Sequence, residues 1–177
     1  MNKLIIASSA HDADLFSILK VVVPDPFIVV SIGKKHYALV NQLEYPRVRK
    51  ETDYRVKVIP SEKYVEKAKK ITKKISLATL AFAFLKEKGI RHIGIPPTFP
   101  FVYAQELRSK GIHLSVCNPF VDRSVKTFEE IREIKCVQDV VDLACERIIE
   151  IIKKSNVRGG VLFYHGKKLT SEYLKEI

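Results

Sequence analysis

Residues 27–41, FIVVSIGKKHYALVN, decide the fold of this 177-residue chain. Two apolar, β-branched-rich runs, 27–31 and 36–41, flank the segment Ile-Gly-Lys-Lys, and runs of that kind joined by a short glycine-bearing turn form a β-hairpin turning at Gly33. A tight hairpin is antiparallel by geometry. Upstream, residues 3–8 (KLIIAS) suit a buried strand, residues 12–20 space Leu15, Phe16 and Leu19 helically, and Pro24 and Pro26 break the chain before the hairpin. Downstream, residues 55–59 are a further strand. Ser61 is placed to cap a helix to about residue 74, and Ser76 or Leu77 opens a second helix ending at Gly89. Residues 91–95 return as a strand. Thr98 then caps a helix with Pro100 in its first turn and Gly111 just past its end, and residues 112–117 form one more strand.

Strands alternating with helices are joined by crossovers that make neighbours parallel, whereas the hairpin is antiparallel. The pattern therefore predicts an α/β domain with a mixed sheet flanked by helices, over residues 1–124, with its boundary at residues 118–126. Residues 125–177 form a second segment. There Thr127 and Glu130 have the spacing of a capping box, and an opening turn carrying residues 132–135 (REIK) runs into a helix. Val137, Val140, Val141, Ala144, Ile148, Ile151 and Ile152 form one apolar stripe on it. A stripe of that size recruits a cover, so another copy of the chain, or the first domain, is expected to lie against it.

The net charge of +11 comes from 31 Lys and Arg against 20 Asp and Glu, an excess that can attract nucleic acid. It is dispersed along the chain, and its densest part, residues 63–74 (KYVEKAKKITKK), spaces Tyr64, Val65, Ala68 and Ile71 helically, so the lysines form a solvated face. No aromatic-rich RNA motif or DNA-reading helix pattern accompanies it, so nucleic acid is not an expected partner; binding that falls steeply with salt would be the contrary sign. No run approaches the ~20 apolar residues that cross a bilayer, and the N-terminus, MNKLIIASSAHDAD, turns acidic too soon for a secretory signal. A cytoplasmic protein without membrane contact is expected. Cys117, Cys136 and Cys145 are odd in number and lack Cys-x-x-Cys spacing, so reduced, mostly buried thiols are expected.

Four groupings carry chemistry-bearing side chains. His11, Asp12 and Asp14 could hold a metal, but Asp is a preferred helix cap and that reading is favoured. Asp142, Glu146 and Glu150 lie opposite the apolar stripe beside Arg147, Lys153 and Lys154, as a solvated charged face does. Residues 158–168 (RGGVLFYHGKK) approach a phosphate loop, yet Gly160 and Gly166 are separated by five residues where that motif needs four, and the five include a strand-like VLFY. His92, His113 and Cys117 could converge as ligands, but a His beside a strand is more often a half-buried ring with a partner. None of these residues is assigned a catalytic, cofactor-binding or metal role.

Three segments, with a fourth echo, are familiar together. Residues 24–27 (PDPF) enter the hairpin. Residues 41–47 (NQLEYPR) are similar to a Ser-x-Leu-Glu-x-x-Arg stretch, residues 132–135 to an Arg-x-x-Lys-Ser signature, and residues 169–172 (LTSE) to the start of a following helix. In this order they resemble the N-terminal part of the aminopeptidase P, prolidase and creatinase group, over nearly the whole chain. The resemblance implies a mixed α/β domain followed by one or two helices that begin a pita-bread catalytic domain. In that group two Asp, one His and two Glu hold a pair of divalent ions, Mn, Co or Zn, whose hydroxide attacks the peptide bond before proline. Those ligands are expected after Ile177, so the resemblance transfers no site residue here; the chain itself is expected inactive and the longer protein an Xaa-Pro metallopeptidase. Implied partners are a second copy in a dimer, the protein's own catalytic domain and proline-containing peptides. Two departures bear on substrate preference: residues 16–20 (FSILK) stand where the group often has an aromatic residue and Thr-Gly, and Cys136 stands in place of Ser. An alternative is a catalytically dead homologue that works as a ligand-binding or regulatory module.

Overall fold

The computed structural model describes residues 2–118 and 125–176, and the chain divides into two compact units, Met1–Ser124 and Val125–Ile177. Most of the expected boundary, residues 119–124, lies outside the described residues. In the first unit, β1 (Lys3–Ala7) leads into α1 (Ala13–Leu19), and the hairpin forms as β2 (Phe27–Ile32) and β3 (Lys35–Val40). Ile28 stands opposite Leu39 and Ser31 opposite His36, and Gly33 turns the chain at φ +59°, where a side chain would be strained. There follow α2 (Tyr45–Glu51), β4 (Val56–Pro60), α3 (Glu62–Lys69), α4 (Leu77–Glu87), β5 (His92–Ile95), α5 (Phe101–Ser109) and β6 (His113–Val116).

The six strands are ordered β4-β3-β2-β1-β5-β6, with β2 antiparallel to both its neighbours and the pairs β3·β4, β1·β5 and β5·β6 parallel. The sheet is mixed, as the sequence pattern requires. Alternation along each strand splits the core between its faces. Leu4, Ile6, Ile28, Val30 and Leu39 pack with Tyr64 and Ala68 of α3, Phe84 and Leu85 of α4 and Leu107 of α5. Ile5, Val29, Ala38 and Val40 pack with Leu15 and Leu19 of α1 and Val48 of α2. Burying each Val, Leu, Ile or Phe side chain among these contributes about 1.5–3 kcal/mol relative to leaving it in water.

Three elements depart from the sequence expectation. Helix α3 stops at Lys69 rather than about residue 74, and Ser61 makes no side-chain cap hydrogen bond; beyond Ala68 the chain has four lysines, and Ile71 stays 37% exposed, so nothing on those residues is buried to extend the helix. Pro100, not Thr98, is the cap residue of α5, since a proline disfavours helical geometry at the residue before it and so opposes a helix that includes Phe99. Helix α2 was not anticipated at all. Its seven residues bury Val48 alone, too short a stripe to show as periodicity.

The second unit is one helix, a small sheet and a closing helix. The capping box at Thr127 and Glu130 forms, and α6 (Phe128–Lys153) continues unbroken for 26 residues, so the opening turn and the striped helix are one element. No Gly or Pro interrupts it. Strands β7 (Asn156–Arg158), β8 (Val161–Tyr164) and β9 (Lys167–Lys168) form an antiparallel sheet, followed by α7 (Ser171–Glu176). The pair Gly159 and Gly160, both at positive φ, makes the two-residue turn that twisted hairpins favour. Within this unit the sheet reaches α6 near its end, where Ile151 is buried, whereas Val137, Val140, Val141 and Ile148 are exposed. The thiols correct the expectation of burial: Cys136 and Cys145 are exposed on α6, because a single helix with one buried turn has no interior to hide them, and Cys117 is half-buried. No described helix is long and apolar enough to cross a membrane.

Candidate functional site

The described residues form a cleft of about 570 Å³ between the chain at the end of β1 and the segment that follows β5, two neighbouring strands. These neighbours run parallel, yet β1 feeds α1 on one face of the sheet while β5 feeds α5 on the other. Chains leaving adjacent strand ends toward opposite faces open a crevice between them, and open α/β sheets bind ligands at such points.

On the first wall, Ser8 and Ser9 tie the loop after β1 to the segment before β2. Ser8 Oγ donates to Val23 O at 2.9 Å; Ser9 Oγ donates to Val21 O at 2.8 Å and accepts from Val23 N at 2.7 Å. Both serines are buried, so these bonds satisfy polar groups that would otherwise destabilise the loop. Asp12 then caps α1, accepting from Leu15 N at 2.8 Å. The second wall is Thr98, Pro100, Val102 and Tyr103, held by Phe99 N donating to Pro96 O and Tyr103 N donating to Pro100 O, each at 3.0 Å. Helix α5, which carries Tyr103, is anchored to α4 through Glu106, whose carboxylate accepts from Ser76 Oγ at 2.6 Å and from Thr79 Oγ1, with Lys110 at 3.6 Å. Partial burial raises the Glu106 pKa, but hydrogen bonds from Ser76 and Thr79 outweigh it and leave the group below the usual carboxylate range.

Chemically the cleft has apolar walls from Ile6, Ala7, Pro26, Pro100 and Val102 and polar groups from Ser8, His11, Asp12, Thr98 and Tyr103. That mixture suits a small ligand with an apolar body and a few hydrogen-bonding groups. Ser31 Oγ and His36 Nδ1 lie 2.8 Å apart, as a nucleophile and its base do, but Ser31 is buried between strands and neither residue lines the cleft.

The groupings singled out in the sequence separate clearly. Asp12 is a helix cap, as favoured. Asp142 accepts from Gln138 Nε2 at 2.7 Å, and Glu150 meets Arg147 at 3.8 Å and Lys154 at 3.4 Å, the contacts of a solvated face. The near phosphate loop is the β7–β8–β9 sheet. His92 and His113 do come together, with stacked rings 4.6 Å apart, but both are exposed rather than half-buried, because each is the first residue of its strand and β6 is at the sheet's edge. No group of three or more His, Cys, Asp or Glu among the described residues is placed to hold a metal ion. In the 41–47 stretch, Asn41 Oδ1 accepts from Glu44 N at 2.8 Å, and Arg47 is held by Glu44 while donating to Val22 O at 2.9 Å, so the motif fastens α2 to the segment before β2. Sequence reasoning missed Ser8, Thr98 and Tyr103 as cleft residues. Their signal was position alone, at or beyond the ends of two predicted strands.

No family model and no curated protein matches the sequence. Solved structures share its architecture: the Xaa-Pro dipeptidase from Bacillus anthracis at TM-score 0.60 and 14% identity, over 88% of this chain and 40% of that one. The X-Pro aminopeptidase from Thermotoga maritima matches at 0.57 and 13%, over 90% of this chain and 42% of that one. The prolidase from Pyrococcus furiosus matches at 0.52 and 16%, over 88% and 40%. The chain has a prolidase-type fold. It spans about two fifths of the length of these prolidase-type structures. Their likeness extends over nearly all of this chain, as the motif order anticipated.

Proposed function

We propose that this chain is the non-catalytic N-terminal part of an Xaa-Pro peptidase, with α6 and α7 opening a catalytic domain. Its role is to help wall substrate access and to build a dimer, while hydrolysis before proline belongs to a two-metal centre in the catalytic domain. The observation that carries this reading is the match over 88–90% of the chain to only 40–42% of peptidase chains. No chemical step is assigned to any side chain of this chain.

The test compares this 177-residue polypeptide with one that continues through a catalytic domain, both given an Ala-Pro peptide and Mn(II). The longer chain is expected to hydrolyse the peptide and the shorter one to leave it intact. Turnover by the short chain overturns the proposal. A second reading, a ligand-binding or regulatory homologue without peptidase chemistry, is favoured by the cleft between β1 and β5. An inactive longer chain would select it.

A further inference from the structure

We infer that His92 and His113 form a two-imidazole site for a divalent transition ion, Cu(II) above all and Ni(II) next. The inference is independent of the peptidase reading. The two histidines are direct partners in the parallel register of β5 and β6, and His113 N donates to Arg91 O at 2.8 Å, fixing the strand pairing at that end. Neighbouring strands stand about 4.8 Å apart, so the backbone holds the rings together and little ordering entropy is left to lose on chelation.

The spacing suits chelation of one ion. An imidazole nitrogen binds a metal at ~2.0–2.1 Å and lies about 1.1 Å from its ring centre, so each centre sits ~3.2 Å from the ion; two ligands at a right angle then have centres ~4.5 Å apart, and at the tetrahedral angle ~5.2 Å. The centroids here are 4.6 Å apart. Rings at this separation come within reach of one ion when they turn, and the affinity order of divalent first-row ions at a nitrogen site puts Cu(II) first. The rings are now nearly parallel, at 11°, and must turn about their soft terminal torsion to aim two nitrogens at one point. Both are exposed, so nothing packed resists that turn, and water completes the coordination. Cys117 is not a third ligand. It lies four residues beyond His113, about 13 Å along an extended chain.

The experiment titrates the tag-free 177-residue chain with Cu(II), and separately Ni(II), in a non-coordinating buffer at pH 7.5, read by calorimetry and, for copper, by electron paramagnetic resonance. The expected result is one ion per chain with a two-nitrogen signature. His92→Ala and His113→Ala should each weaken Cu(II) by at least about tenfold, since one of two protein bonds to the ion is lost. His11→Ala and His165→Ala should bind as the parent does. Folding is checked by circular dichroism, and His113→Gln, which keeps a polar side chain of similar length at the strand edge, must lose binding as His113→Ala does. Copper binding unchanged by either strand substitution, or no stoichiometric uptake by the parent, overturns the assignment.

Discussion

His36 sits on β3 opposite Ser31, half-buried, with its Nδ1 2.8 Å from the serine hydroxyl. Burial is the main force lowering its pKa below the ordinary imidazole value; Arg55 and Lys3 push the same way and Asp53 opposes them. The native state therefore binds a proton less readily than the unfolded chain. Linkage sets the sign: this contribution to stability is complete above the unfolded value of about 6.5 and is lost as pH falls below it toward the native pKa. Urea midpoints are expected to fall between pH 7.5 and pH 5, and His36→Gln should flatten that slope; an unchanged slope in the variant would refute the assignment. Sequence alone did not single out His36, because its partner Ser31 and its charged neighbour Arg55 are brought to it by the sheet.

Helices α4 and α5 are joined by one polar knot. Ser76 and Thr79 form the capping box of α4, and both hydroxyls also donate to Glu106 of α5. Removing the carboxylate leaves two hydroxyls without their acceptor, so Glu106→Ala is expected to destabilise the fold by about 1–3 kcal/mol, measured by chemical denaturation. The same substitution should loosen the α5 wall of the cleft without unfolding the sheet. That α4 opens at Ser76 or Leu77 was legible in the sequence because helix-start signals are local: a hydroxyl and the amide three residues on are all that capping needs. The link from Ser76 to Glu106, thirty residues away, was not. Helix α2 was missed for the opposite reason, since its local signals, Asn41 before it and Pro46 in its first turn, are present but its apolar face is a single valine.

For the whole chain, the apolar stripe of α6 makes the clearest prediction. Val137, Val140 and Val141 are 65%, 66% and 47% exposed, a surface that water disfavours. If a second copy supplies the cover, as proposed for the dimer, sedimentation of this 177-residue chain should show concentration-dependent association. The double substitution Val141→Glu and Ile148→Glu should shift it to monomer. A monomer at every concentration would remove the second copy as the cover.

Short-range pattern in the chain carries the alternation of strands and helices, the antiparallel hairpin at Gly33, the caps at Asp12 and Thr127, the start of α4 at Ser76 or Leu77, and the amphipathic stripe, because each depends on residues within a turn or two of one another. Strand order is a matter of tertiary packing, which sets β1 beside β5 although more than eighty residues separate them in the chain. That placement opens the cleft between residues 6–12 and 98–103, and the pairing of β5 with β6 sets His92 against His113. Local pattern cannot reveal such neighbours. Strand order is chosen by which packing buries both faces of the sheet at once, a sum over contacts that no single window of sequence contains.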